Sequence, residues 1–142
     1  MNYNRMLAMV LGWVLLVVGL LGFVSPLTQS VSAPFTGVPA PRLLGIFEVN
    51  GLHNVVHVLS GAFLLAGAYM MGGANARMAN MVLGAVYLVV FLVGALVAPL
   101  SDLIAIDAAD NGLHLVLGIV LLAVPFMMKD DAKMGMGNKP AM

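Results

Sequence analysis

The chain has no cysteine among its 142 residues, and only 8% of them are charged. Without cysteine there can be no disulfide, no thiolate metal site and no cysteine nucleophile. So little charge excludes an ordinary soluble domain, where about a quarter of residues are charged. Basic runs are absent too. Six Lys and Arg balance six Asp and Glu, and no aromatic-basic interleaving points to nucleic acid. Period-two alternation is missing, which argues against a membrane barrel. Ser60 is the only serine inside an apolar run, and no hydroxyl, His and carboxylate arrangement is apparent. A non-enzymatic protein is expected.

What is present is apolar: 62% of the residues are hydrophobic. Four runs, 6–24, 51–71, 78–98 and 112–128, carry almost no charge. Each is about 20 residues or slightly shorter, enough to cross roughly 30 Å of hydrocarbon as a helix. Backbone groups inside a bilayer must be satisfied internally, which helices do. The expected fold is all-α, an integral membrane four-helix bundle. One domain should cover 1–128, with 129–142 a flexible cytoplasmic tail. The tail methionines Met134, Met136 and Met142 fit that mobility better than a copper site.

The connections carry their own signals. Arg5 followed by an apolar run looks like a signal peptide, and Val31-Ser32-Ala33 mimics a cleavage site. Pro34 directly after it disfavours processing, so an uncleaved first span is expected. Pro26, Pro34, Pro39 and Pro41 keep 25–49 out of regular helix. Residues 42–49 are amphipathic and should lie at the interface. Asn50 should cap the second span, and Asp107 or Asp110 the fourth. Gly72-Gly73 should stop the second span and Pro99 the third, while Pro125 should bend the fourth near its end. Arg5, Arg77, Lys129, Lys133 and Lys139 fall on one side and Arg42 on the other. That bias places both termini on the cytoplasmic side of the membrane.

The apolar text is also duplicated. Residues 9–22 align with 81–94 at an offset of 72, with ten of fourteen positions identical. Asn54, His57 and Gly61 align with Asn111, His114 and Gly118 at an offset of 57. The bundle is therefore expected to be two parallel helical-hairpin repeats, about 6–71 and 78–128, related by a twofold-like axis along the membrane normal. Glycines at 12, 19, 22, 84 and 94 mark the faces where helices approach closely.

Three histidines, His53, His57 and His114, sit early in their spans. Asn three residues before a His shares its helix face, and Gly four residues after leaves room for a neighbour or a planar group. Polar residues in spans often serve as cross-helix hydrogen bonds, which is one reading of this set. The other is a ligand site. His57 and His114, flanked by Asn54, Asn111, Gly61 and Gly118, could hold haem or another tetrapyrrole. Alternatively His53, His57 and His114, with Glu48, Asp107 or Asp110, could hold a transition metal. Coupled transport would call for mid-membrane charge and broken helices, and neither is present. Trp13, Tyr69 and Tyr87 read as packing or interface anchors.

The residues 44–50, then Asn54 to His57 with Gly61, Tyr87, and Asn111 to His114 with Gly118, resemble a bacterial family of small four-span membrane proteins. That family is catalogued as a domain of unknown function. The resemblance covers about 6–126 and implies a four-helix membrane fold without naming an activity. His53 is an addition to its pattern. With no catalytic set and no soluble domain, the expected role is an accessory or structural subunit. It would work in the bilayer beside other membrane subunits or copies of itself.

Overall fold

Four helices carry the chain back and forth: α1 (Tyr3–Leu21), α2 (Gly51–Tyr69), α3 (Gly73–Leu96) and α4 (Ala108–Met127). Their lengths of 19 to 24 residues correspond to roughly 28–36 Å at 1.5 Å per residue. All four are long and apolar enough to cross a membrane. The structure, a computed structural model, describes residues 2–24, 28–32, 39–70, 73–97, 100 and 103–128. The chain is a multi-pass membrane protein with a four-helix bundle fold. The expected tail 129–142, and Pro26, Pro34, Gly72, Pro99 and Asp102, lie outside the described residues.

The helix starts follow the local chemistry. Asn2, Asn50 and Asp107 each cap a helix, their side chains accepting from the amides of Arg5, His53 and Asp110. Of the two carboxylates expected to compete for the start of α4, Asp107 takes the cap. Asp110 is left free to turn inward.

The closest helix pairs are α1 with α2 and α3 with α4. Glycine makes this possible. A Cβ at Gly61 would stand 2.6 Å from both the Gly12 carbonyl oxygen and the Leu16 amide nitrogen. A Cβ at Gly118 would stand 2.6 Å from the Leu88 side chain. Gly12 faces Leu65 and Gly84 faces Leu122, while Gly22 abuts the Asn54 amide and Gly94 the Asn111 amide. Lipid is as apolar as leucine, so close packing rather than hydrophobic drive holds such helices together. Leu15, Leu64, Leu83, Tyr87 and Leu121 fill the middle. Val10, Val17, Phe63, Val86 and Ile119 face outward, where lipid covers them. Trp13 and Tyr69 meet on that outside, the indole nitrogen 3.5 Å from the phenol oxygen.

One end of the bundle is tied by polar side chains. Arg5 Nε donates to the Ala68 carbonyl at 2.9 Å and Arg77 Nε to the Pro125 carbonyl at 3.1 Å. Both guanidinium groups thereby satisfy last-turn carbonyls that a helix leaves unpaired. Asn80 Nδ2 donates to the Asn4 carbonyl and Asn4 Nδ2 to the Met128 carbonyl, joining α3, α1 and the end of α4.

The opposite end departs from expectation. Residues 42–49 contribute to strands, not simply to an amphipathic interfacial segment. Strands β1 (Thr28–Ser32), β2 (Pro39–Leu43) and β3 (Phe47–Glu48) form an antiparallel sheet in the order β1-β2-β3. Proline is tolerated here because β3 covers only the end of β2, pairing with Arg42 and Leu43. Pro41 also supplies its carbonyl to the Val49 amide. Leu44 and Gly45, at φ 53° and 75°, reverse the chain into β3. Arg42 and Glu48 lie directly opposite and form an ion pair of 2.8 Å. That hydrogen bond pushes the Arg42 guanidinium pKa further up.

Candidate functional site

The first turns of α2 and α4 converge beneath the sheet. Their caps fix the helical register there, and register decides which side chains face inward. His53, His57, Asp110 and His114 all do so, at 5%, 5%, 2% and 3% exposure. The ring centroids of His53 and His57 are 4.5 Å apart, and each lies 6.2 Å from that of His114. Tyr87 of α3 stacks on His114 at 5.3 Å, a contact worth roughly 1 kcal/mol. The backbones of α2 and α4 make little direct contact, so these side chains are the junction between them.

Each member is oriented differently. His53 Nδ1 stands 2.9 Å from the Ile104 carbonyl. A carbonyl only accepts, so Nδ1 carries the proton and, in the neutral ring, Nε2 presents a lone pair. That nitrogen lies 3.9 Å from Asp110 Oδ1. His114 Nδ1 lies 3.5 Å from Asp110 Oδ2. Neither contact is a formed hydrogen bond. Among the described residues, His53 and His114 are the only groups at ion-pair distance from this buried carboxylate.

Among the described residues, His57 has no hydrogen-bond partner on either ring nitrogen, and both are buried. Among the described residues, Asp110 Oδ2 and His114 Nδ1 are likewise buried without a formed hydrogen bond, while the buried Tyr87 hydroxyl reaches toward Ser60. A buried unsatisfied polar group costs about 1–3 kcal/mol. Several of them converge on one point between α2, α3 and α4, which makes that point the candidate site. One ligand atom from each of His53, His57 and Asp110 lies within 4.8 Å of the others.

The segment 103–107 roofs the site. Asn50 Nδ2 donates to the Leu103 carbonyl, His53 Nδ1 to the Ile104 carbonyl, and the Glu48 amide to Asp107 Oδ2 at 3.3 Å. Between these anchors Ala105 is held at φ 50°, a strained conformation for a residue with a Cβ. Glu48 and Asp107, weighed from the sequence as metal partners, are taken up by the Arg42 pair and by the helix cap.

The structure brings the three histidines expected to share a site close together. Asn54 and Asn111 lie to its side, packed against Gly22 and Gly94, while Gly61 and Gly118 seat the helices below it. Asp110 has a larger part than the spacing suggested, because the cap assignment competed for it. Tyr87, read as packing, lies in the wall of the site as well as in the core. The polar-glue reading fits His53, which forms a hydrogen bond, whereas His57 forms none with the described residues.

No curated protein and no solved structure matches the chain. A family model described as a domain of unknown function, DUF4383, matches residues 5–127, nearly the whole membrane-embedded part. The chain belongs to the DUF4383 family.

Proposed function

We propose that this is a non-enzymatic membrane protein that holds one divalent transition-metal ion between its helical hairpins. The observation that carries this is His57, whose two ring nitrogens are buried and unpartnered beside His53 and Asp110. Imidazole and carboxylate together suit zinc and its neighbours in the first transition row. Ligand atoms on one zinc at about 2.1 Å stand roughly 3.4 Å apart. His53 Nε2 and Asp110 Oδ1 stand 3.9 Å apart, near that value, and the ligand atoms of His53, His57 and Asp110 all lie within 4.8 Å of one another. The His53 ring is already held through Nδ1 by a backbone carbonyl, as the outer partners of metal-bound imidazoles commonly do. A tetrapyrrole between His57 and His114 fits less well. It would have to displace His53 and Tyr87, packed against those rings at 4.5 and 5.3 Å.

The two-repeat architecture belongs to the same proposal, and contacts support it. Gly12 with Leu65 corresponds to Gly84 with Leu122. Gly61 with Leu16 corresponds to Gly118 with Leu88. Gly22 with Asn54 corresponds to Gly94 with Asn111, and Arg5 with Ala68 to Arg77 with Pro125. First helices differ by 72 and second helices by 57 throughout. Arg5 and Arg77 share the end opposite the sheet, which supports cytoplasmic termini in a bacterial inner membrane. The accessory-subunit role expected from the chain's size has no contact of its own in support, since the outward residues are those that lipid also requires.

The proposal is tested by elemental analysis of the protein purified from its own membrane without chelator. About one transition-metal ion per chain is expected, and His57→Ala should carry none. Wild-type protein that is folded, metal-free and unable to take up zinc, cobalt or nickel would contradict it.

A further inference from the structure

The two halves of the site differ by one exchange. The offset that relates His57 to His114 also relates His53 to Asp110, and their helix caps Asn50 to Asp107. Each hairpin thus presents an i, i+4 pair from the first turns of its second helix: His53 with His57, and Asp110 with His114. Such a spacing puts both side chains on one helix face. The pairs face each other, with His53 Nε2 3.9 Å from Asp110 Oδ1 and the His57 and His114 rings nearly perpendicular at 6.2 Å.

We propose that the metal ion sits on the axis between the repeats, bound by all four residues as two equivalent pairs, with three nitrogens and one carboxylate oxygen. This rests on the metal site proposed above and adds His114 as a ligand and the equivalence of positions 53 and 110. His114 Nδ1 is buried, has no hydrogen bond and stands 3.5 Å from Asp110 Oδ2. His53, His57 and Asp110 already bring their ligand atoms within 4.8 Å of one another, and His114, which stands outside that group, must turn its ring to join it. Three imidazoles select borderline cations such as zinc, cobalt and nickel over magnesium and calcium, which take oxygen ligands. The single carboxylate balances half of a divalent charge in a site with no other buried anion among the described residues.

Equivalence makes a sharp demand. Moving the carboxylate from one repeat to the other should preserve the ligand set. Cobalt chloride is titrated into the detergent-purified full chain, and binding is read from the visible ligand-field bands and from competition with a chelator. His53→Asp leaves two carboxylates and two imidazoles, and is expected to weaken cobalt binding at least tenfold. The double exchange His53→Asp with Asp110→His is expected to recover affinity to within a few-fold of wild type, with a similar spectrum. His114→Gln is expected to weaken binding at least tenfold and to change the bands. A folded double variant that binds no better than His53→Asp overturns the equivalence. A His114→Gln spectrum identical to wild type overturns the four-residue set and decides the matter even if the double variant fails to fold. Either result leaves the metal site standing, whereas wild type that binds no cobalt removes both proposals together.

Discussion

Replacing Gly61 by valine is expected to break the α1–α2 pair. A single methyl there already falls 2.6 Å from two backbone atoms of α1, and backbone cannot rotate aside as a side-chain tip can. The helices must separate, and every contact along the seam loosens with them. Over-packing typically costs 1–3 kcal/mol. With two branches driven into backbone, at least about 3 kcal/mol is expected, enough to unfold a marginal bundle. Gly51→Ala is the control, because nothing lies within 4 Å of a Cβ there. It should be neutral or slightly stabilising, since alanine suits a helix better than glycine. Denaturation in mixed micelles, followed by helical circular dichroism, compares the two. Equal stability of Gly61→Val and Gly51→Ala would show that α1 and α2 are not packed this closely.

Zinc is expected to raise the thermal midpoint strongly. An ion bound only by the folded state stabilises it by about 4 kcal/mol at a thousandfold excess over its dissociation constant. For a chain of this size that is an upward shift of roughly 10 °C. The effect should be large because the ion replaces several unmet interactions at the α2–α4 junction, where backbone contact is sparse. Magnesium should produce no shift, and zinc none in His57→Ala. A similar zinc shift in His57→Ala would place the ion elsewhere on the chain.

Much of this was legible in the residues. Four apolar runs of near-bilayer length specify four helices almost without competition. The caps at Asn50 and Asp107, and the convergence of three histidines, followed from helical spacing. The sheet was not legible. Its strands are two to five residues long and contain Pro39 and Pro41, so neither alternation nor composition reports them. They are held by pairing and by the reversal at Leu44 and Gly45. The part Asp110 plays was concealed for a different reason. An acidic residue in a helix's first turn is explained by the dipole alone. A signal was available all the same: the offset aligning His57 with His114 sets Asp110 against His53. The roof at 103–107 depends on hydrogen bonds between segments about fifty residues apart, which no local pattern encodes.

X-ray absorption at the zinc edge of the loaded protein tests the central claim most directly. A buried site of imidazoles and one carboxylate predicts a nitrogen and oxygen shell at about 2.0–2.1 Å, with the outer-shell scattering of about three imidazole rings. That imidazole scattering should fall in His57→Ala. Zinc surrounded only by water and carboxylate oxygens, unchanged by His57→Ala, would mean that the buried rings at the hairpin junction hold no ion.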